Sequence, residues 1–350
     1  MSAKRERLSE TGGRAAVSAR GTGGPAEDFR TGAVNAVVDL GGTAVTRLIE
    51  RTEQRLSELA TAHGPLLARY AGETIAAGGK RLRPLLLFLA AGAPPPETDG
   101  LLRAAVAVEL VHCATLVHDD VLDASALRRG RPTVFAAGGR RLAIATGDLL
   151  FSRAFGELAA GRSVDAVRIL SRACSELAQG ELMQRADAWN PQISMERYLE
   201  RCRLKTAVLF RAACELGALE TSGDPEALGM FGEQIGLAFQ LLDDVLDVSG
   251  RPDRTGKPRG ADLLDGTVTL PLIVARSRDS ALSGLDLREL RAPDDAAAVC
   301  ERIVATDAPA VAKSLALDLV ARAKVGLPEL PERQRAAMEL VADGVVERYA

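Results

Sequence analysis

The chain has 350 residues, which is enough to bury a large core in one domain or two. Apolar residues make up 47% of it and aromatic residues 3%, a helix-favouring composition with no apolar run long enough to span a bilayer. The formal net charge is −3, and the short basic clusters lack the interleaved aromatic side chains that stack on bases, which argues against a nucleic-acid partner.

The cysteines indicate a reducing environment. They stand in apolar, helix-like stretches without CxxC spacing, as reduced cytosolic thiols would: Cys113, Cys174, Cys202, Cys214 and Cys300. No signal peptide opens the chain, so we expect a cytoplasmic protein.

The first residues differ in composition from the rest of the chain. Residues 1–31 are rich in Gly, Arg, Ser and Thr and show little apolar periodicity, so we expect a disordered tail there. Helical spacing of apolar residues starts at Val34, breaks at Gly41 and Gly42, and resumes in a second segment over residues 66–77. Because no linker interrupts the sequence after the tail, we expect a single domain over residues 32–350.

A basic turn follows at residues 78–84, which read Gly-Gly-Lys-Arg-Leu-Arg-Pro. Two glycines and three cations at a helix boundary can cradle an anion such as a phosphate. On this stretch alone, a solvated basic turn is an equal alternative.

The remainder of the chain shows helical patterns joined by short loops. We predict helices over residues 101–123, 140–159, 164–186, 195–220 and 225–247, a short helix over 268–275, and three more from residue 296 onward. A polar, Gly-rich loop over residues 249–266 contains Lys257. Roughly ten helices with short loops predict an all-α protein built as a large helical bundle.

Two identical acidic motifs dominate this pattern. The sequence Asp-Asp-Val-Leu-Asp occupies residues 119–123 and returns at residues 243–247, each time at the end of a long apolar helix. Residues four apart share a helix face, so Asp119 lies beside Asp123 and Asp243 beside Asp247. Carboxylates close to a core repel each other unless a cation compensates them, and all-oxygen ligands point to Mg²⁺.

The surroundings of these motifs suggest a substrate. The Lys and Arg clusters would neutralise the negative charge of a diphosphate that Mg²⁺ does not compensate. Below Asp119 the helix face continues through Thr115, His112 and Val108, and no aromatic residue occurs over residues 104–123. A site with charged residues at its entrance and largely aliphatic residues further in suits a prenyl diphosphate, which has a diphosphate head and a hydrocarbon tail.

Ten short motifs strengthen this interpretation when they are taken together. In chain order they are Gly78-Gly79-Lys80-Arg81-Leu82-Arg83-Pro84, Glu109-Leu110-Val111-His112, the first acidic motif, Arg128-Arg129-Gly130, Gly147-Asp148, Lys205-Thr206, Phe239-Gln240, the second acidic motif, Gly256-Lys257 with Asp262-Leu263, and Thr269-Leu270-Pro271-Leu272. By these residues the chain resembles the all-trans polyprenyl diphosphate synthases of the isoprenoid synthase superfamily.

The resemblance implies roles for the matching residues. The implied Mg²⁺ ligands are Asp119, Asp120, Asp123, Asp243, Asp244 and Asp247. The implied contacts of the allylic diphosphate are Arg128, Lys205, Thr206, Gln240 and Lys257, and those of isopentenyl diphosphate are Lys80, Arg83, His112 and Arg129. Asp119, Asp123, Asp243, Lys205 and Lys257 would carry catalysis in a central cavity of a homodimer. The implied reaction is loss of diphosphate, attack by the isopentenyl double bond on the allylic cation, and loss of a proton.

One difference from the family pattern bears on activity, and the size of two side chains bears on product length. The family often has Lys at the position of Thr267, so this chain has one cation fewer. Ala114 and Thr115 stand where bulky aromatic residues of the family stop chain growth early, and both are small. We therefore expect a long-chain product such as a quinone side-chain precursor, unless facing helices supply the floor of the cavity. A lipidic product implies at most transient membrane contact.

Several alternatives compete with this interpretation. A farnesyl or geranylgeranyl synthase would share the chemistry, and a non-catalytic partner subunit would share the fold. A di-iron bundle needs two Glu-x-x-His pairs, and only Glu109 and His112 form one. A terpene cyclase does not normally repeat its first acidic motif. We expect His118 to hydrogen-bond a neighbour, Trp189 and Tyr198 to have packing roles, and Gly229, Gly232 and Gly236 to allow close packing.

Overall fold

The computed structural model describes residues 37, 40–62, 64–76, 81–128, 130–221, 223–250 and 259–347. These residues form the predicted all-α bundle and, in addition, one small hairpin that was not predicted. The helices before the hairpin are α1 (Thr43–Thr61), α2 (Gly64–Ala76), α3 (Leu82–Ala91) and α4 (Asp99–Leu122). The hairpin pairs β1 (Leu127–Arg128) with β2 (Arg131–Pro132) in antiparallel fashion.

The helices after the hairpin complete the bundle. The long ones are α5 (Val134–Ala160), α6 (Val164–Asp187), α7 (Met195–Cys202), α8 (Val208–Leu219) and α9 (Pro225–Ser249), with a π-helical turn at Arg203–Ala207 between α7 and α8. The C-terminal part contains α10 (Ala261–Leu264), α11 (Leu270–Arg276), α12 (Ser280–Ser283), a 3₁₀ turn (Leu287–Glu289), α13 (Pro293–Val304), α14 (Ala308–Val325) and α15 (Glu332–Glu347).

Side-chain caps fix the starts of the long helices. The hydroxyl groups of Thr98, Thr133, Ser163 and Ser194 accept hydrogen bonds from backbone N–H groups in the first turns of α4, α5, α6 and α7. Asp224 caps α9 in the same way, with Pro225 in the first turn. These are the residue types that satisfy free N–H groups at a helix start, so local sequence sets these boundaries.

Helix α4 runs through the interior of the bundle. It is the one helix among the described residues that is long and apolar enough to cross a membrane, but 72% of its apolar window is buried by the rest of the protein. Its buried acidic residue, Glu109, forms an ion pair with Arg81 at 2.5 Å. A core helix of a bundle has these properties.

Two hydrophobic clusters meet in the bundle. One gathers side chains from α1 to α6 and includes Val108 and Val111 of α4; the other gathers side chains from α7 to α15 and includes Leu241 and Leu242 of α9. Helices α3 and α8 contribute several side chains to both clusters, and α1 adds Val45 to the second. The two helices that carry the acidic motifs thus belong to different halves of the core, and α3 and α8 join those halves.

The structure differs from the predicted elements in several places. Helix α5 starts at Val134 rather than at residue 140, with non-helical φ and ψ angles at Gly139. The hairpin, the π-helical turn and the short helices α10 and α12 are not apparent in the apolar periodicity, because each is too short to show a period. The predicted tail, residues 1–31, lies outside the described residues. All five cysteines are free thiols, as predicted.

Candidate active site

Both acidic motifs lie at helix ends, as predicted. Residues 119–122 form the last turn of α4, with Asp123 as its C-cap, and residues 243–247 lie in the last two turns of α9. A cavity of about 180 Å³, which we call the aspartate cavity, brings the motifs together, because Asp123 and Asp244 both line it. Other polar residues in its wall are Gln184, Arg185, Arg201, Lys205, Thr206, Gln240, Asp262, Asp265, Thr267 and Thr269.

The middle aspartate of each motif is buried and held in place. Asp120 is 4% exposed and accepts a hydrogen bond of 2.9 Å from Nε of Arg128. Asp244 is 3% exposed and accepts hydrogen bonds from the hydroxyl of Tyr198 at 2.6 Å and from Nε2 of Gln240 at 2.7 Å. The two buried carboxylates therefore have protein partners already.

The outer aspartates of the motifs are more accessible. Asp243 is exposed, and Asp119, Asp123 and Asp247 are half-buried. Burial raises the pKa of Asp119 to about 6; Lys205 opposes this shift, and the carboxylates of Glu181 and Asp123 add to it. The first and last aspartates of each motif, which share a helix face, are therefore its accessible carboxylates.

A chain of hydrogen bonds orients the polar wall of the aspartate cavity. The hydroxyl of Thr206 donates to Oε1 of Gln240 at 2.7 Å, and the amide of Gln240 donates to Asp244. Burial raises the pKa of Asp244 to about 8, the charges of Asp262 and Asp243 add to this shift, and the hydrogen bonds from Tyr198 and Gln240 oppose it. Tyr198 therefore does more than pack, which its sequence context did not indicate.

Two unpredicted residues, Glu181 and Arg185, connect the motifs with the cations. Glu181 accepts a hydrogen bond from Nζ of Lys205 at 2.5 Å and from Nε of Arg185 at 2.8 Å. Arg185 also donates to Asp123 at 2.5 Å. Burial raises the pKa of Glu181, but the positive charges of Lys205 and Arg185 outweigh it, so the pKa lies below the usual value. The acid–base spacing of four residues on α6 was the available sequence signal.

The π-helical turn Arg203–Ala207 presents Lys205 and Thr206 to the cavity. Two glycines allow this turn to approach its neighbours. A Cβ atom on Gly180 would lie 2.6 Å from the backbone N of Lys205, and one on Gly236 would lie 2.7 Å from Cα of Ala207. Gly229 and Gly232 make equally close approaches to α8, which confirms the predicted packing role of the α9 glycines.

A second cavity of about 250 Å³, which we call the histidine cavity, lies beside α4. His112, Cys113 and Leu116 of α4 line it, together with Arg81, Asp120, Arg128, Arg131 and several residues of α2 and the start of α5. Arg128 thus contacts Asp120 in the wall of this cavity, whereas Lys205, Thr206 and Gln240 line the aspartate cavity.

Arg83 lies away from both cavity walls. Its guanidinium stacks over the ring of Phe210 at 4.5 Å, and its buried Nε atom has no hydrogen-bond partner among the described residues. Burial lowers the pKa of Arg83 to about 10, with the charge of Glu109 opposing. Its predicted role in binding isopentenyl diphosphate would need the side chain to turn. Lys80, Arg129 and Lys257 lie outside the described residues.

The predicted chain-length residues lie on α4 one turn below Asp119. Ala114 is fully buried, and the half-buried Thr115 donates its hydroxyl hydrogen to the carbonyl of His112 at 2.8 Å. His118 packs against Gly147 of α5, at the contact that a Cβ atom on Gly147 would fill. Its Nε2 atom lies 3.3 Å from the carbonyl oxygen of Ile144, so His118 makes the predicted kind of contact with a neighbour.

Comparison with known proteins agrees with this geometry. The model of the polyprenyl synthetase family matches residues 65–305. Heptaprenyl diphosphate synthase component 2 of Geobacillus stearothermophilus is 42% identical over 238 residues, which cover 67% of this chain and 72% of that protein. Geranylfarnesyl diphosphate synthase of Natronomonas pharaonis is 37% identical over 302 residues, which cover 78% of this chain and 87% of that protein.

A solved structure extends the agreement to the fold. The polyprenyl synthase of Caulobacter crescentus CB15, complexed with calcium and isoprenyl diphosphate, has a TM-score of 0.82 and 36% identity to this chain. The match covers 91% of this chain and 98% of that structure. The all-α architecture, the paired acidic motifs and the extent of these matches lead to one conclusion: the chain belongs to the polyprenyl synthetase family of prenyltransferases and has the isoprenoid synthase fold.

Proposed function

We propose that the protein condenses isopentenyl diphosphate head-to-tail with an allylic diphosphate to make a trans polyprenyl diphosphate. The observation that carries this proposal is the aspartate cavity, in which Asp123 and Asp244 share one wall with Lys205, Thr206 and Gln240. Carboxylates, cations and an amide around one cavity are suited to holding a metal-bound diphosphate.

The donor set fits Mg²⁺, which we propose as the cofactor. Among the described residues, no three His, Cys, Asp or Glu side chains converge as a preformed metal site. The accessible aspartates nevertheless offer only oxygen ligands, and burial raises the pKa of Asp119, a shift that a bound cation would oppose. We propose Asp119, Asp123, Asp243 and Asp247 as the main ligands. Bound Mg²⁺ would stabilise the negative charge that develops on a leaving diphosphate.

The protein's own side chains would bind and orient the allylic substrate. The ammonium group of Lys205 would exchange its carboxylate partner, Glu181, for diphosphate oxygens. Gln240 is fixed between Thr206 and Asp244, so its amide keeps one orientation in the cavity wall. We propose the same substrate contact for Lys257, which the sequence predicts.

The apolar side of the site would protect the allylic cation from water. Below Asp119, α4 carries the small or aliphatic residues Thr115, Ala114, Val111 and Val108, with His112 as the one polar ring among them. A dry cavity prevents capture of a carbocation by water. The departing diphosphate can accept the proton that is lost after the double bond attacks, so no side chain is needed as the base.

We propose a long-chain product because Ala114 and Thr115 leave the first turn below Asp119 without a bulky side chain. Helix α5 runs antiparallel to α4, as the contacts of His118 with Gly147 and of Arg103 with Glu157 show. It carries Phe151 and Phe155, which pack against the core beside α4. If these rings form the floor of the cavity, the product is a short-chain diphosphate instead.

The test is an assay of the purified protein with labelled isopentenyl diphosphate, an allylic primer and Mg²⁺, with product length measured by chromatography. We expect long products that disappear with EDTA. Products of three or four isoprene units would keep the chemistry and place the floor on α5. Absence of any Mg²⁺-dependent product would refute the catalytic proposal and favour a partner subunit, a role in line with the relative named as a synthase component.

We also propose a homodimer. Helix α5 buries only one face in the described structure, and Ile144 on its other face is 42% exposed. The same exposed side carries small residues such as Ala145 and Gly156 beside Arg141 and Asp148, so a second copy could approach it closely and form polar contacts. Light scattering should then give twice the mass of the 36.9 kDa chain, and a monomer mass would contradict the proposal. Cytoplasmic localisation stays a prediction.

A further inference from the structure

Arg201 is a buried cation in the wall of the aspartate cavity. The residue is 3% exposed and lies one helical turn before Lys205, near the end of α7. Both cations line the aspartate cavity, Arg201 from the end of α7 and Lys205 from the π-helical turn. No sequence motif pointed to Arg201.

The guanidinium of Arg201 is fixed beside the segment that leads into α11. Its Nη2 atom donates a hydrogen bond of 2.5 Å to the carbonyl of Val268, and it lies 5.5 Å from the ring centre of Tyr198. Thr267 and Thr269, on either side of Val268, line the same cavity. The charge of Arg201 therefore lies next to Thr267, where synthases of this family often have a Lys.

Arg201 is the one cation in the described wall of the aspartate cavity that forms no ion pair, although Asp244, Asp262 and Asp265 also lie in that wall. Lys205 is paired with Glu181, and Arg185 is paired with both Glu181 and Asp123. Within the described parts of the chain, no carboxylate lies at ion-pair distance from Arg201. The carbonyl of Val268 satisfies one of its donors but does not balance its charge, and an anionic ligand in the cavity would stabilise the buried cation.

We propose that Arg201 is a further binding residue for the diphosphate of the allylic substrate and supplies the positive charge that Thr267 lacks. Arginine has five N–H donors, so one can hold Val268 while others bind phosphate oxygens. The contact with Val268 sets the guanidinium in place before the substrate enters, which reduces the ordering needed on binding. This inference rests on the proposed function.

The test compares Arg201→Met, Thr267→Lys and the double variant. Binding of farnesyl diphosphate with Mg²⁺, without isopentenyl diphosphate, is measured by calorimetry. Loss of a hydrogen bond to a charged group should weaken binding by about 10- to 100-fold in Arg201→Met. The KM for isopentenyl diphosphate should stay within about threefold, because its diphosphate would bind elsewhere. Thr267→Lys should restore most of the affinity in the double variant. Arg168→Met removes an exposed cation and is the matched control, with no expected change.

Each outcome decides the matter. Unchanged farnesyl diphosphate binding in Arg201→Met overturns the inference, and so does equal weakening of both substrates without rescue by Thr267→Lys, since that is the behaviour of a purely structural tie. Should Arg201→Met fail to fold, Thr267→Lys alone is decisive. If Thr267→Lys tightens the binding of farnesyl diphosphate by less than about threefold, the inference is supported; tightening of about threefold or more means that the cation is missing and overturns it. Failure of the unsubstituted protein to form any Mg²⁺-dependent product would instead refute the proposed function.

Discussion

At the scale of single residues, the two acidic motifs divide their work in the same way. The middle aspartate of each motif is buried and hydrogen-bonded to the protein, and the outer aspartates remain accessible. The partners differ completely: Asp120 is held by Arg128, eight residues away, and Asp244 by Tyr198, forty-six residues away. The two identical sequences thus show the same pattern of buried and accessible aspartates because both lie at the end of a helix. The hydrogen-bond partners differ because each comes from the surrounding fold.

The anchoring of Asp244 gives a stability prediction. Tyr198→Phe removes the hydroxyl that donates to this buried carboxyl group and leaves the packing of the ring unchanged. We expect the free energy of unfolding to fall by about 1–3 kcal/mol, measured by denaturant titration. Tyr70→Phe is the control, since no hydrogen bond of the Tyr70 hydroxyl occurs among the described residues. Equal losses in the two variants would show that the hydroxyl of Tyr198 does not anchor Asp244.

The small side chain of Thr115 gives a product-length prediction. Thr115 lies four residues before Asp119, about 6 Å along the helix, so a phenyl ring there would close the cavity one turn below the metal site. We expect Thr115→Phe to shorten the products in the chromatographic assay and to leave the first condensation largely intact. Thr115→Val keeps the original size and should not change product length. Unaltered products from Thr115→Phe would mean that this face of α4 does not contact the growing chain.

At the scale of elements, the π-helical turn is what brings the substrate-binding residues to the cavity. Residues 195–220 show one continuous helical pattern, and the sequence predicts one helix there. A wider turn of five residues leaves that pattern intact, so only the tertiary contacts of Gly180 and Gly236 reveal it.

The close approach at Gly180 can be tested directly. In Gly180→Ala the new methyl group would meet the backbone of Lys205 at 2.6 Å, and backbone must shift to relieve the contact. We expect about 1–3 kcal/mol of destabilisation. We also expect a higher KM for the allylic diphosphate, because Lys205 moves.

A matched control separates this effect from helix propensity. Gly72 lies inside α2, and a Cβ atom there would meet nothing within 4 Å. Gly72→Ala should therefore be neutral or stabilise the protein by about 0.5–1 kcal/mol. If Gly180→Ala behaves like Gly72→Ala in both stability and KM, the approach of α6 does not position the π-helical turn.

The long elements and both acidic motifs could be predicted from sequence, and the charge partners around them could not. Apolar periodicity and capping residues define α4, α6 and α9 almost to their ends. Glu181, Arg185 and Arg201 escaped prediction because their function depends on which helix faces which. Each has an ordinary polar helical pattern around it, and only the assembled bundle shows what it contacts.

At the scale of the whole molecule, the bundle fixes the ends of α4 and α9, which carry the acidic motifs, relative to each other. The first motif belongs to the hydrophobic cluster of α1 to α6, and the second to the cluster of α7 to α15. Helices α3 and α8 pack into both, with Leu87 and Leu209 in one cluster and Leu86 and Phe210 in the other. The distance between the motifs is therefore set by core packing far from the mouth of the cavity.

This architecture predicts that residues 1–31 are dispensable. Their composition is poor in apolar residues, so they can contribute little buried surface. The described residues that line the two cavities all lie between Arg69 and Thr269. Deleting residues 1–31 should leave the thermal midpoint within about 2 °C and the product length unchanged.

Deletion of residues 332–350 is the contrasting variant. It removes α15, whose Gln334 donates a hydrogen bond of 2.8 Å to the carbonyl of Leu89, and whose Met338 and Ala342 are fully buried in the core. Losing these contacts exposes apolar surface of α3 and α9, so calorimetry should show a large fall in thermal midpoint or no cooperative transition. If the N-terminal deletion lowered activity while the midpoint stayed constant, the tail would have a role in catalysis or product release, and the single-domain boundary at residue 32 would be wrong.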